Sequence, residues 1–228
     1  MKLAISLKRV KIFSILIIML YTVGACNSSK SISPSEEENK GWEIVKVDKK
    51  NDKPTWEIYS RKLVGTNTYE YKIEGDIESS PKSCVSSFRK DIYNQSNNPN
   101  NKKYPTYNIL NESKDTLLTY VIHNEPFIFE DTEMRVRYTF FKDFENNIEG
   151  VKWKEAWKED LAPSPSKKLS RVQHFRGSWS FLKTSSSHSK AVNIIQFDPK
   201  GMPMWLVRPM VMSFLRKGLE NLRVMTSK

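Results

Sequence analysis

The chain is poor in the residues that build several common architectures. It holds 2 cysteines in 228 residues, too few for a disulfide framework, and 8 glycines, too few for a collagen-like repeat. Alanine occurs only at Ala4, Ala25, Ala156, Ala162 and Ala191, which argues against long alanine-rich bundles. The histidines His123, His174 and His188 stand far apart, without HExxH or any comparable metal spacing. No Gly-x-Ser-x-Gly occurs, and Cys84 lacks the basic surroundings that make a thiolate. No metal, cofactor or catalytic residue is therefore expected. Long apolar runs are missing except for one at the N-terminus, which excludes a protein with many membrane-crossing helices.

What is present is enough for a core. Aromatic residues make up 11% and include 6 tryptophans, so wholesale disorder is excluded. Residues 1–11 carry Lys2, Lys8, Arg9 and Lys11 and no acid. The uncharged run Ile12–Ala25 follows. As a helix it would cover about 21 Å, short of the ~30 Å hydrocarbon core, so it reads as an export signal rather than a span. Removing residues 1–25 takes away four cations, so the net charge falls from +11 to +7 over the remaining 203 residues. The remaining basic residues are scattered, with no stripe interleaved with aromatics, so no nucleic-acid partner is expected. Anionic lipid or envelope polymer is the better acidic partner. Residues 27–40, nearly devoid of apolar side chains, read as a solvated tether.

From Gly41 onward the pattern is that of one folded domain, 41–228. Alternating, β-branched and aromatic runs predict strands at 42–47, 55–63, 68–77, 107–113, 116–124, 134–141, 148–157, 170–182 and 190–198. Ser80-Pro81 predicts a helix start, with Ser80 as N-cap and Val85, Phe88 and Ile92 on one face. Cys84 on that helix is expected to be a buried thiol. A final helix, Pro203–Met225, shows a stripe of Val207, Val211, Phe214, Gly218, Leu222 and Met225, with Pro209 in its first turns. The fold class is therefore α+β: a curved antiparallel sheet gripping a long C-terminal helix, with a ligand space between them. In that packing Gly218 permits close approach or adds volume.

Two resemblances extend this reading. Val23-Gly24-Ala25-Cys26 resembles the lipobox of bacterial lipoproteins. That resemblance implies cleavage before Cys26 and acylation of Cys26, hence an exported, membrane-anchored protein on the periplasmic or cell-surface side. An ordinary signal peptide with a chance cysteine, or a short anchor helix, are the alternatives. Further on, GWEIVKV, WEIYSRK, YKIEGDIESSP, VIHNEPFIFEDTEMRVRYTF, FRGSWSF and FDPKGMPMWLV…LRKGLENLR appear in order. Together they resemble the START (StAR-related lipid-transfer) domain of the helix-grip, Bet v 1-like superfamily, from about Gly41 to Arg223. The resemblance implies a non-enzymatic domain whose cavity takes a lipid or sterol-like hydrophobe, for transfer or sensing, and a monomer is expected. A helix-grip enzyme acting on a small hydrophobic substrate, or a structural envelope lipoprotein, are the alternatives. The family's Asp-Arg-Asp-like motif is altered here to Asp131-Thr132-Glu133, so no role of its arginine carries over.

Strand parity nominates the polar contacts. Val151, Trp153, Glu155 and Trp157 share a face, opposite Lys152, Lys154 and Lys158, so Glu155 is expected to point inward between tryptophans. An inward carboxylate needs a partner. Arg137 on the preceding strand, matching an arginine that START domains often turn into the cavity, is the expected one. His123 shares a face with Thr119 and Val121 and can line the same space. Trp153, Trp157, Val207, Val211 and Phe214 are the expected apolar wall.

Overall fold

A computed structural model describes residues 41–51, 53–63, 69–125, 130–159, 168–197 and 204–227. The export signal at 1–25, Cys26, the tether at 27–40 and Pro203 lie outside the described residues. The strands are β1 (Glu43–Lys50), β2 (Lys53–Lys62), β3 (Tyr69–Ile77), β4 (Thr106–Glu112), β5 (Thr116–His123), β6 (Thr132–Asp143), β7 (Ile148–Glu155), β8 (Ser170–Arg171), β9 (Phe175–Lys183) and β10 (Ser189–Phe197). The helices are α1 (Pro81–Ser96) and α2 (Met204–Thr226). The order across the sheet is β1-β2-β3-β10-β9-β7-β6-β5-β4, each neighbour antiparallel. Only β8 departs, pairing parallel with the start of β6.

Alternation assigns the two faces of this sheet. Tyr71, Ile73 and Ile77 of β3 point to the core, as do Leu117, Val136, Tyr138, Val151, Trp153, Trp179, Phe181, Ala191 and Ile195. The residues between them form an outer face, where Glu70 accepts from Arg61 and Gln196 at 2.5 and 2.6 Å. Lys72 and Lys190 bracket Glu74 on the same side, at 2.6 and 2.7 Å.

Helix α1 starts as its sequence dictates: Pro81 needs no N–H partner and the Ser80 hydroxyl accepts from the Ser83 amide at 3.3 Å. It lays Phe88 against Trp153 and edge-on to Tyr138, with ring centroids 6.3 and 6.0 Å apart. Helix α2 closes the core with Val207, Val211, Leu215 and Leu219, a ridge of i, i+4 steps, and with Leu222 one i, i+3 step on. Phe214 is not on it: its side chain is 48% exposed, 100° round the helix from Leu215. At Gly75 the helix comes close to the sheet, so that a Cβ would lie 2.7 Å from Leu219 Cδ2 and 3.0 Å from the Thr55 carbonyl. Arg223 fixes the far end of α2, donating to the Asp76 and Thr55 carbonyls at 2.9 and 2.7 Å.

Gly218 is not a close-approach position, since a Cβ there meets only Trp179, at an ordinary 3.6 Å. Gly218→Ala is therefore expected to stabilise the domain by about 0.5–1 kcal/mol through helix propensity. Urea denaturation measures this, and a loss of stability contradicts it.

Two strand boundaries differ from the sequence pattern. The run 170–182 is broken, because Val172 donates to the Glu133 carbonyl at 3.0 Å and the chain crosses the outer face before β9 begins. Strand β7 ends at Glu155 because Ala156 bonds the Arg135 carbonyl at 2.9 Å and Glu159 turns back onto Ala156 at 3.2 Å.

Candidate functional site

The inner face between the sheet and α2 is mostly apolar, and three buried polar atoms there stand unpaired. Tyr71 Oη, Trp153 Nε1 and Asn193 Oδ1 have no hydrogen-bond partner among the described residues. Buried polar groups are nearly always paired, so three orphans on one face are informative. The ladder places them in two adjacent rows of the inner face. Tyr71 of β3 aligns with Ile195, then Gly177 and Trp153, in one row across four strands. Asn193 stands in the adjacent row, opposite Ile73 and Trp179 and diagonal to Tyr71. Trp153 lies over Gly177, where any Cβ would fall on its ring. Burial raises the Tyr71 phenol above its ordinary value, while the nearby Arg208 guanidinium opposes the shift without a hydrogen bond of ordinary geometry. Beside this row, burial pushes the Tyr138 phenol up to about 12, with the Tyr107 hydroxyl acting against the rise.

Solved structures share this fold. A STAR-related lipid transfer protein from Xanthomonas axonopodis superposes with a TM-score of 0.66 at 15% identity, covering 83% of this chain and 100% of that one. Human STARD10 gives 0.66 at 13% identity, over 85% of this chain and 77% of that one. Human StAR-related lipid transfer protein 5 gives 0.63 at 10% identity, over 85% and 89%. The chain has the START-type helix-grip fold. At these identities the likeness establishes the architecture alone. No protein-family profile and no curated protein sequence matches the chain.

Within this START-type frame the sequence-nominated residues separate. Trp153, Val207 and Val211 lie in the core between sheet and α2. His123 is on the inner face at its far end, where it bonds Glu125 at 2.7 Å and packs on Tyr104. Arg137 is not on that face. It shares parity with Glu133 and Arg135, so it projects outward and binds the Glu159 carboxylate at 2.5 Å. Glu155 is not its partner. At the last residue of β7 it accepts from Arg176 at 2.5 Å, and that ion pair holds its carboxyl below the ordinary range against the opposing effect of burial. Trp157 also leaves the inner face, since β7 has ended: it stacks on Arg171 at 3.7 Å and donates to the Val172 carbonyl at 2.7 Å. Phe214 faces solvent, as described above.

The altered Asp131-Thr132-Glu133 motif is structural. Asp131 accepts from the Glu125 amide at 3.0 Å, and Thr132 donates to the Glu125 carboxylate at 2.9 Å. Glu133 is fully buried on the outer face with Arg171. Sequence reasoning missed Tyr71 and Asn193. The signal for Asn193 was there: it alternates with Ala191 and Ile195 in a strand whose other positions are mostly apolar too.

Among the described residues no three His, Cys, Asp or Glu side chains gather where they could hold a metal. Cys84 is buried and free, and burial pushes its thiol from 9.0 up to about 11. Because the unfolded thiol ionises first, stability is expected to fall as pH rises from about 9 toward 11. Thermal melting across that range checks the sign. A smaller fall in Cys84→Ala assigns part of it to this thiol, and an equal fall contradicts that assignment.

Proposed function

We propose that the chain is an exported lipoprotein, anchored through an acylated Cys26, whose START-type domain binds a lipid or other hydrophobic ligand for transfer or sensing. The observation that carries the binding reading is the set of orphaned atoms, Tyr71 Oη, Trp153 Nε1 and Asn193 Oδ1, on a mostly apolar inner face. Each buried polar atom left unpaired costs about 1–3 kcal/mol, a cost that a ligand's polar group removes. The ligand's chain is held by burial, at about 0.8 kcal/mol for each CH₂ withdrawn from water. The solved STAR-related lipid transfer protein from Xanthomonas axonopodis supports the same reading through its shared architecture.

The test is mass spectrometry of organic extracts from the purified protein. A specific lipid class enriched over extracts of an unrelated lipoprotein prepared in parallel is expected. Matching extracts contradict ligand binding. The anchor is tested separately. Cys26→Ser is expected to abolish fatty-acid labelling and membrane attachment with the domain still folded, because the Val23–Cys26 lipobox supplies the acylated residue. Labelling that persists in the variant overturns the anchor.

A further inference from the structure

Exposed apolar side chains gather on α2. Among the described residues Trp205 is 76% exposed and Met210 43%, and Pro209 between them is exposed too. At 100° per residue, Trp205, Leu206, Pro209 and Met210 fall on the side turned away from the ridge Val207, Val211 and Leu215. The first turns of α2 are therefore apolar toward water as well as toward the sheet, unlike an ordinary surface helix. Farther along, the same outward side carries Arg216, Lys217 and Glu220. From Met204 to Leu219 the helix has three cations, Arg208, Arg216 and Lys217, and no acid.

The ends of the sheet give this patch a direction. Register aligns Lys62, Tyr69, Phe197 and Phe175 at one end. Trp42 packs there, with the Arg61 guanidinium 4.5 Å over its ring, so the chain enters the domain at that end. Helix α2 starts at the same end, because Arg208 lies beside Tyr71 while Arg223 bonds the Asp76 carbonyl toward the other. Residues 26–40 are all that separates Cys26 from Gly41. Fully extended they reach about 50 Å, and as a flexible polar chain about 20 Å on average. An acylated Cys26 thus keeps the start of α2 close to its own membrane, at an effective concentration on the order of millimolar, where even a weak contact is populated.

A lipid surface is the occupant this patch fits. Tryptophan favours the membrane interface, apolar neighbours enter the acyl boundary, and cations suit anionic headgroups. Arg216 and Lys217 follow the apolar turns by roughly 10 Å along the helix, which places them at headgroup height. We propose that the first turns of α2 dock in cis, with Trp205, Pro209 and Met210 in the surface of the membrane that carries the acyl anchor. This rests on the anchored-lipoprotein reading above. It turns the tethered end of the domain toward its own membrane, so the domain works on that membrane rather than shuttling to a second one.

The experiment uses the full acylated chain in nanodiscs of phosphatidylethanolamine with phosphatidylglycerol as the minority lipid. Dibrominated acyl chains, which quench tryptophan on contact, are present or absent. The emission of Trp205 is read as the difference between wild type and Trp205→Phe. Brominated lipid in the same disc is expected to remove most of it. Protein-free brominated discs, added to the chain in unbrominated discs, are expected to remove none. Met210→Glu is expected to abolish the same-disc quenching at an unchanged melting temperature, because Met210 lies outside the core. If that variant does not fold, the Trp205 difference carries the test alone.

Trp205 emission that brominated lipid leaves intact overturns the docking, and equal quenching by the added discs overturns its cis geometry. Unchanged quenching in a folded Met210→Glu overturns the role of the apolar turns. Shielding of Trp205 from iodide without quenching by lipid gives the face to a second copy of the chain or a protein partner, and overturns the proposal. A chain whose intact mass shows no acyl group removes the anchor and this docking together, whereas an acylated chain with unquenched Trp205 removes the docking alone.

Discussion

Arg171→Ala is expected to destabilise the domain by about 3–5 kcal/mol, the cost of stranding a buried charge. The charge is Glu133, fully buried on the outer face of β6. Arg171 Nε donates to its carboxylate at 2.7 Å, and Tyr120 supplies a hydroxyl at 2.9 Å. The same guanidinium lies 3.7 Å from the Trp157 ring centre, so its loss also frees the segment after β7 from the sheet. Urea denaturation measures the effect. The double variant Glu133→Gln, Arg171→Met removes both charges at similar volume and is expected to recover most of the loss. A loss below about 1 kcal/mol in Arg171→Ala, the range of an exposed ion pair, would show that Glu133 is solvated.

The second large effect is expected at Gly177, in the middle of the inner face. A Cβ there would fall on the Trp153 ring and lie 2.5 Å from the Ile194 carbonyl. The ring can swing away only by leaving its contacts with Phe88 and Phe175, and the carbonyl belongs to the ladder. Gly177→Val is thus expected to cost about 3 kcal/mol or more, at the upper end for overpacking, and to lower the yield of soluble protein. A variant of wild-type stability would mean that Trp153 is not packed over β9. Gly218→Ala is the internal control, because its added methyl has room.

The sheet was legible because its strands obey period two in both polarity and shape. WEIVKV, TWEIYSRKL and TYEYKIEGDI each alternate, and their turns carry Asn, Asp and Gly. The start of α1 was legible because Ser80-Pro81 satisfies the helix terminus by local chemistry alone. The helix stripe was legible only in part. Hydrophobicity ranks Phe214 with Leu215, and only the curvature of the sheet decides which of two residues 100° apart is covered.

The polar site was read wrongly where parity was carried past the end of a strand. Trp157 belongs to the turn that follows Glu155, so its alternation with Trp153 has no structural meaning. Arg137 went wrong for a different reason, because an expectation from the START resemblance displaced the local pattern. Within MRVRYTF, Met134, Val136 and Tyr138 already mark the inner face, and Arg135 and Arg137 fall between them. The burial of Glu133 and Arg135 was not legible, since charged residues on an outer face normally meet water. Here the chain after β7 folds back over them.

The most direct test of the account is native mass spectrometry of the full chain released from nanodiscs, wild type beside Val211→Trp. Val211 lies on the buried ridge of α2, and a tryptophan there adds bulk between helix and sheet, where the ligand is proposed to lie. One noncovalently held lipid per wild-type chain is expected, and a folded variant that flies bare. A wild-type chain that flies bare, or a variant that keeps the same ligand, would contradict a binding site between the sheet and α2.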